Sequence, residues 1–236
     1  MHGPIRRGMA RPILVTGCAR SGTAYLAALL TRLAIPCGHE RIFAPETLER
    51  GTPEWPEGVS AESSWLAAPF VGGLANGTVV VHTVREPVAA LRSLWRVGLF
   101  RTRSSYRSHA ERHCRALTFG TPMELTARFW LSWNELAESA RDVRGLRYVR
   151  VRLDAIDEST VRWIGELAER EIDPTLARRA LAAVPRDTNT AGDSSQDAAV
   201  DWSAMTSSAL ASQIDELAAR YGFCGRAMQR LWTRAA

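Results

Sequence analysis

The stretch RPILVTGCARSGTAYLAALLTRL, residues 11–33, decides how the rest of the chain is read. Residues 12–17 are a short apolar, β-branched segment closed by a glycine, which predicts a buried strand. From Thr23 onward, Tyr25, Leu26, Leu29, Leu30 and Leu33 fall on one helical face, which predicts a helix laid against a sheet. Between strand and helix, Gly17 and Gly22 enclose four residues, the spacing of a phosphate-binding loop. Such a turn aims backbone N–H groups and the positive helix end at one point, so it attracts an anion whatever its side chains. A nucleotide triphosphatase would carry Lys and then Ser or Thr after the second glycine. Here Thr23 and Ala24 follow.

Outward from this stretch, strands alternate with helices. GTVVVHTVRE, residues 77–86, has an uninterrupted apolar centre, which predicts a strand buried on both faces in a parallel sheet. Pro87 opens the next helix where its missing N–H costs nothing, and Val88, Leu91, Leu94 and Trp95 give that helix an inward face. IPCGHERIF, residues 35–43, admits a brief strand. Residues 45–60 read as surface loop, and ESSWLAAPF, residues 62–70, as one or two helical turns. A long helix is expected over 122–140 with Trp133 in the core, then a strand over 146–153. Helices are expected near 158–170, 174–184 and 204–220. The pattern predicts an α/β fold, three layers α/β/α around a mainly parallel sheet of the P-loop type. One domain spans 1–236, with 1–10 flexible and 98–120 and 185–203 as loop or lid segments.

The bulk numbers set bounds on partners. The chain has 236 residues, 46% hydrophobic and 23% charged, as in an ordinary globular protein. Net charge is +5, and all 30 basic residues are arginine, so any phosphate contact falls to Arg, backbone amides, hydroxyls or His. A modest basic excess favours an anionic ligand without requiring nucleic acid, and no nucleic-acid partner is expected. Cys18, Cys37, Cys114 and Cys224 are widely spaced and form no CxxC pair, which suggests reduced thiols. The first twelve residues carry charge, but no apolar segment long enough for a signal peptide follows them, and no run approaches the roughly 18 apolar residues of a membrane span. A cytoplasmic protein is expected.

The second strand runs out into Arg85, where a magnesium-binding nucleotide site would place an acid. Ala24 has no hydroxyl for a metal. Ser93 lies six residues after Pro87, about 9 Å along the helix. Arg85 and Ser93 together can hold one phosphate at the crevice where strand ends meet. Two anion sites without a magnesium ligand describe a nucleotide phosphorylated at two separate positions.

At this point the sequence resembles the sulfotransferases that use 3′-phosphoadenosine 5′-phosphosulfate. Their 5′-phosphosulfate loop is similar to GCARSGT, residues 17–23. Their 3′-phosphate motif is matched by Arg85, Pro87 and Ser93. CGHERIF, SSWLAAPF, WLSWNEL with Asn134, and ELAARYGF resemble bacterial members, so the likeness covers most of residues 12–223. The resemblance implies that this nucleotide is the co-substrate and that no metal is used. It implies a small-molecule, glycan or lipid hydroxyl (or an amine) as acceptor. It places Arg20 where the family has a cation that stabilises charge building on the bridging oxygen. It assigns the cradle to Gly17, Ala19, Arg20, Ser21, Gly22 and Thr23, with Ala24 replacing a common second hydroxyl.

An acceptor hydroxyl needs a proton acceptor as it attacks. Glu40 and His39 stand where related enzymes place a catalytic Glu or His. His has the more suitable ordinary pKa, about 6.5 against about 4.3, whereas the bacterial branch favours Glu, which puts Glu40 first. The TNTAG loop, residues 188–192, lies where the family folds a basic segment over the nucleotide; only Arg186 is near, and that contact stays open. His109, His113 and Cys114 lack the further ligands a metal needs. The arginines of 98–120 suit an acceptor-side lid or a solvated helix face. Two other readings remain: a P-loop small-molecule kinase, and a nucleotide-binding domain without catalysis.

Overall fold

The computed structural model describes residues 10–51, 53–186, 188, 200, 202–205, 207–223, 225 and 227–230. The segment expected to be flexible at 1–10, apart from residue 10, and most of the 185–203 loop lie outside them. Among the described residues five strands form one wholly parallel sheet: β1 (Ile13–Thr16), β2 (Cys37–His39), β3 (Ala61–Ser63), β4 (Val79–Val84) and β5 (Arg147–Arg152). Their order across the sheet is β2-β3-β1-β4-β5.

Strand alternation divides the core in two. Ile13, Val15, Val79 and Val81 face one side, under α1 (Thr23–Arg32), α6 (Glu158–Leu167) and α7 (Pro174–Ala183). Leu14, Val80 and Val84 face the other, under α3 (Pro87–Val97), α4 (Ser105–His113), α5 (Pro122–Glu138) and α8 (Ser208–Arg220). The result is the expected three-layer α/β/α fold. Fully buried Trp130, Trp133 and Phe129 of α5 anchor the second layer, with the Trp133 indole donating to the Trp65 carbonyl at 2.7 Å. Thr121 and Glu124 cap α5 reciprocally, an arrangement worth about 0.5–2 kcal/mol.

Three segments depart from the sequence reading. Residues 61–63 form β3, between β2 and β1, before a 3₁₀ helix, Trp65–Gly73. Three residues carry no period, and Glu62 and Ser63 look like surface residues until their partners are placed. Both are buried, Glu62 accepting from the Arg41 and Ile42 amides and Ser63 donating to the Thr23 carbonyl. Within 45–60 the short helix α2, Pro45–Leu48, buries Pro45 and Leu48. Residues 98–120, expected as loop or lid, contain α4, whose His109 and Ala110 are buried with Phe100 and Leu117.

Candidate functional site

β1 leads through α1 to the left edge of the sheet, whereas β3 leads across β1 to β4 on its right. This reversal opens a crevice beyond the carboxyl end of β1, the usual ligand position in such sheets. The crevice holds a cavity of about 330 Å³. Its walls come from the segments that follow each strand: Ala19, Arg20, Gly22, Thr23 and Ala24 after β1, Glu40 after β2, Trp65 after β3, Arg85 after β4 and Leu153 after β5. His39, the last residue of β2, joins them with Tyr25, Arg186 and Thr188.

The turn after β1 is folded tightly against β4. Gly17 has φ +149°, and a Cβ there would lie 2.2 Å from the Thr83 carbonyl oxygen. Gly17 thus stands behind the cavity and lets the loop approach β4. Thr83 donates its hydroxyl to the Ser21 carbonyl at 2.7 Å. The Ser21 N–H donates to the Cys18 carbonyl at 3.1 Å. That amide, expected to reach a ligand, is used to close the turn, because a tight loop must satisfy its own buried groups first. Gly22 begins α1 with φ +104°. Among the described residues no side chain caps α1, and its first turn contains no acid. Its leading N–H groups and positive dipole end therefore face the cavity uncompensated.

Arg20 lies in the left-handed region at φ +67°, a position that few non-glycine residues adopt. This backbone sends its Nε to the Ser93 hydroxyl on α3, 3.0 Å away. Arg85 donates Nη1 to the Arg20 carbonyl at 3.2 Å. The residues read as two anion sites, Arg20 in one and Arg85 with Ser93 in the other, are thus one connected group. Burial pushes the Arg20 guanidinium below its ordinary pKa, Arg85 adds to this, and Glu40 opposes it. Burial also lowers Arg85. Two partly desolvated cations held this close favour an anion between them. Glu86, the acid beside Arg85, caps α3 by accepting from the Val88 and Ala89 amides.

Glu40 is also left-handed, at φ +52°, and its amide donates to the Ser63 carbonyl. Its carboxylate accepts from the Tyr106 hydroxyl of α4 at 3.3 Å. Burial raises Glu40 above the usual carboxylate range, with the Tyr106 hydrogen bond and Arg20 opposing. Burial lowers His39, with Glu62 opposing, which favours its neutral imidazole. The His39 Nε2 sits 3.5 Å from the Thr23 hydroxyl. Glu40 and His39 therefore both carry a lone pair suited to take a proton.

Several residues of the site carry no assigned role in the sequence reading, Arg186 being named there only as the basic residue near the TNTAG loop. Arg186 lines the cavity and donates to the Leu153 and Ile156 carbonyls at 3.0 and 2.6 Å. Tyr25 is buried on the sheet-facing side of α1, as its spacing predicts, and it also lines the cavity, where its buried hydroxyl has no hydrogen-bond partner among the described residues. Trp65 belongs to SSWLAAPF, a segment that carries the resemblance but no assigned role. Only the placement of β3 beside β1 brings it to the crevice. Of the TNTAG loop, Thr188 reaches the cavity and the rest lies outside the described residues.

Other candidates have structural partners. The Asn134 carbonyl oxygen lies 3.1 Å from His82 Nε2, and its amide donates to the Trp130 carbonyl. His109 Nε2 lies 3.2 Å from the Leu66 carbonyl, and His113 packs edge-on against Phe70. Among the described residues no group of three or more His, Cys, Asp or Glu is placed to hold a metal ion, and Cys18, Cys37 and Cys114 are free thiols. No described helix is long and apolar enough to cross a membrane. A scan against protein-family models finds no match, and a search of curated proteins finds none.

Proposed function

We propose that this chain is a sulfotransferase, moving a sulfuryl group from 3′-phosphoadenosine 5′-phosphosulfate to a hydroxyl or amine acceptor. The observation that carries this reading is the convergence of Arg20 and Arg85 on one cavity that Glu40 and His39 also line. The residues fit such a nucleotide in three respects. The uncapped start of α1 offers N–H groups to an anion. Arg85, Arg20 and Ser93 form one connected group that brings two guanidinium charges together for an anion. The Tyr25 hydroxyl, buried without a partner among the described residues, stands ready to hydrogen-bond a ligand in the same cavity.

When bound, the nucleotide supplies an activated sulfuryl group. The chain then has two tasks. Arg20, fixed by its left-handed backbone and by Ser93, holds positive charge where the departing phosphate oxygen becomes negative. A preorganised cation in a dry site is worth far more than one in water. Glu40 takes the acceptor's proton as the new bond to sulfur forms, its burial-raised pKa making it a stronger base than an exposed carboxylate. His39, whose burial favours the neutral imidazole beside Thr23, is the second candidate for this role.

A kinase would use a hydroxyl after Thr23 and an acid at the end of β4 to organise magnesium. This chain has Ala24 and Arg85 there. A domain that only binds nucleotide would have no use for a basic carboxylate in the cavity wall. Thermal unfolding separates the three readings. Adenosine 3′,5′-bisphosphate at a hundred times its Kd should stabilise by about 2.7 kcal/mol, a rise of about 5–10 °C in Tm, without magnesium. A rise seen only with ATP and magnesium would sink the proposal. A bisphosphate rise without sulfate transfer to any acceptor tried would favour the binding domain.

A further inference from the structure

A second cavity, of about 750 Å³, lies beside β2, the strand at the outer edge of the sheet. It shares no lining residue with the cavity that holds Arg20 and Glu40. Pro36, Ile42, Pro53, Pro56, Val59 and Ala61 give it mainly apolar walls. Hydrogen bonds fix the wall between α2 and β3. The Trp55 indole donates to the Val59 carbonyl at 3.0 Å, and the Val59 N–H to the Pro56 carbonyl at 3.3 Å. The Ile13 N–H of β1 donates to the Ser60 carbonyl at 3.0 Å. An apolar hollow with a few placed polar groups is the usual form of a small-molecule site.

One such group is Glu62 of β3, which lines the cavity and is only 1% exposed. Its Oε1 accepts from the Arg41 and Ile42 amides. Its Oε2 is buried and receives no hydrogen bond among the described residues. Gly38, the residue opposite Glu62 in the β2–β3 pair, also lines the cavity and leaves room for that oxygen. A Cβ at Gly38 would lie 2.0 Å from Oε2, and the backbone there is not left-handed, so it is space that calls for glycine. Burial pushes the Glu62 carboxyl above its ordinary range, with the amide hydrogen bonds opposing. Arg41 and Glu54, the other charged residues of the cavity, are exposed, so water satisfies them. Glu62 Oε2 is the charged oxygen that water does not reach, and leaving it without a donor is costly.

We propose that this cavity binds a small organic amine. The apolar body fills the hollow and the ammonium donates to Glu62 Oε2, reached by a turn of the exposed Arg41 side chain beside it. An ammonium brings both a donor and the opposite charge, which a hydroxyl does not, and charge-assisted hydrogen bonds are the strong ones. An anion would meet the buried carboxylate with like charge. The same carboxylate holds the turn after β2, so an occupant braces that turn. The site is separate from the transfer reading and does not depend on it.

The test is calorimetric titration of the full chain with benzylamine, and with benzyl alcohol and benzoate as probes of similar shape, at neutral pH and fixed salt. Benzylamine should bind, and the other two should bind at least about tenfold more weakly. Glu62→Gln keeps an acceptor oxygen for the two amides but removes the charge, and should weaken benzylamine binding by about tenfold or more. Thr47→Trp fills the cavity from α2 without touching the carboxylate, and should abolish binding even where the glutamine variant fails to fold. Glu40→Gln, in the other cavity, should leave benzylamine affinity unchanged. The proposal is overturned if benzylamine does not bind, or if benzoate or the alcohol binds as tightly. Unchanged affinity in folded Glu62→Gln or in Thr47→Trp also overturns it. A loss of binding in Glu40→Gln would assign the amine to the other cavity and overturn it too.

Discussion

Arg20 donates its Nε to the Ser93 hydroxyl at 3.0 Å, across 73 positions of sequence. The bond ties the turn after β1 to the middle of α3. A guanidinium attached through Nε is held in a fixed planar orientation, which a lysine ammonium cannot reproduce. Replacing Ser93 with alanine should weaken bisphosphate binding by about tenfold or more, the range for a hydrogen bond to a charged group. It should also slow transfer, because Arg20 loses its anchor. Arg85→Ala should abolish the bisphosphate-induced rise in Tm. Calorimetric titration and thermal unfolding measure the two effects. Unchanged affinity in both variants would separate these residues from the nucleotide.

The base can be identified through Tyr106. Its hydrogen bond stabilises the charged form of Glu40 and so lowers the carboxyl pKa. Tyr106→Phe should therefore move the acidic limb of the pH–rate profile to higher pH. If His39 takes the proton, the limb stays where it was. Glu40→Gln should reduce turnover by about a hundredfold or more, the usual scale for a lost general base, with little change in bisphosphate affinity.

Glu62 supports from behind the turn that carries Glu40. Its Oε1 accepts from the Arg41 and Ile42 amides at 2.7 and 3.1 Å, holding the turn that presents Glu40. Glu62→Ala leaves buried amides without a partner and should cost about 1–3 kcal/mol. Glu62→Gln keeps an acceptor oxygen and should restore most of that loss. Gly38→Ala should resemble Glu62→Ala, since a Cβ at Gly38 would lie 2.0 Å from Glu62 Oε2. Chemical denaturation of the three variants orders them. A glutamine variant no better than alanine would show that charge, rather than acceptor geometry, holds the turn.

Acid should unfold this protein through its buried histidines. Burial lowers His82 to about 3 and His109 to about 4, so both are neutral in the native state. The unfolded chain takes up these protons below about pH 6.5, the ordinary histidine value. Between pH 6.5 and those depressed values the unfolded state binds more protons, so stability rises with pH there and is lost as pH falls. The slope of Tm against pH should flatten in His82→Gln, whatever its absolute stability. An equal slope would place the acid sensitivity elsewhere.

Gly17→Ala tests the turn itself. Positive φ and a Cβ 2.2 Å from the Thr83 carbonyl should together cost about 2 kcal/mol or more. The loss should show as a lower Tm even without ligand. An alanine variant of normal stability would mean that the turn can shift away from β4.

Much of this architecture follows from short-range pattern. The apolar runs of β1 and β4, the faces of α1, α3 and α5, and the glycines at 17 and 22 each announce themselves within a few residues. The strands they predict are all present. The pattern fails at β3, where three residues have no period to read and a buried glutamate passes for a surface one. It fails also at α4, whose composition is polar although its inward face packs against Trp65 and Trp133.

By itself the sequence determined the α/β alternation, the glycine-bounded turn after β1, and the presence of Arg85 just before a helix that carries Ser93. These depend on backbone preference and on spacing along one or two elements. Only the tertiary structure decided that Arg20 reaches Ser93, that the Ser21 amide closes the turn, and that Arg186, Tyr25 and Trp65 meet in one cavity. The reason is the order of the strands. Contacts at the crevice join segments that follow five different strands, and their distances are fixed by sheet order and register rather than by separation along the chain.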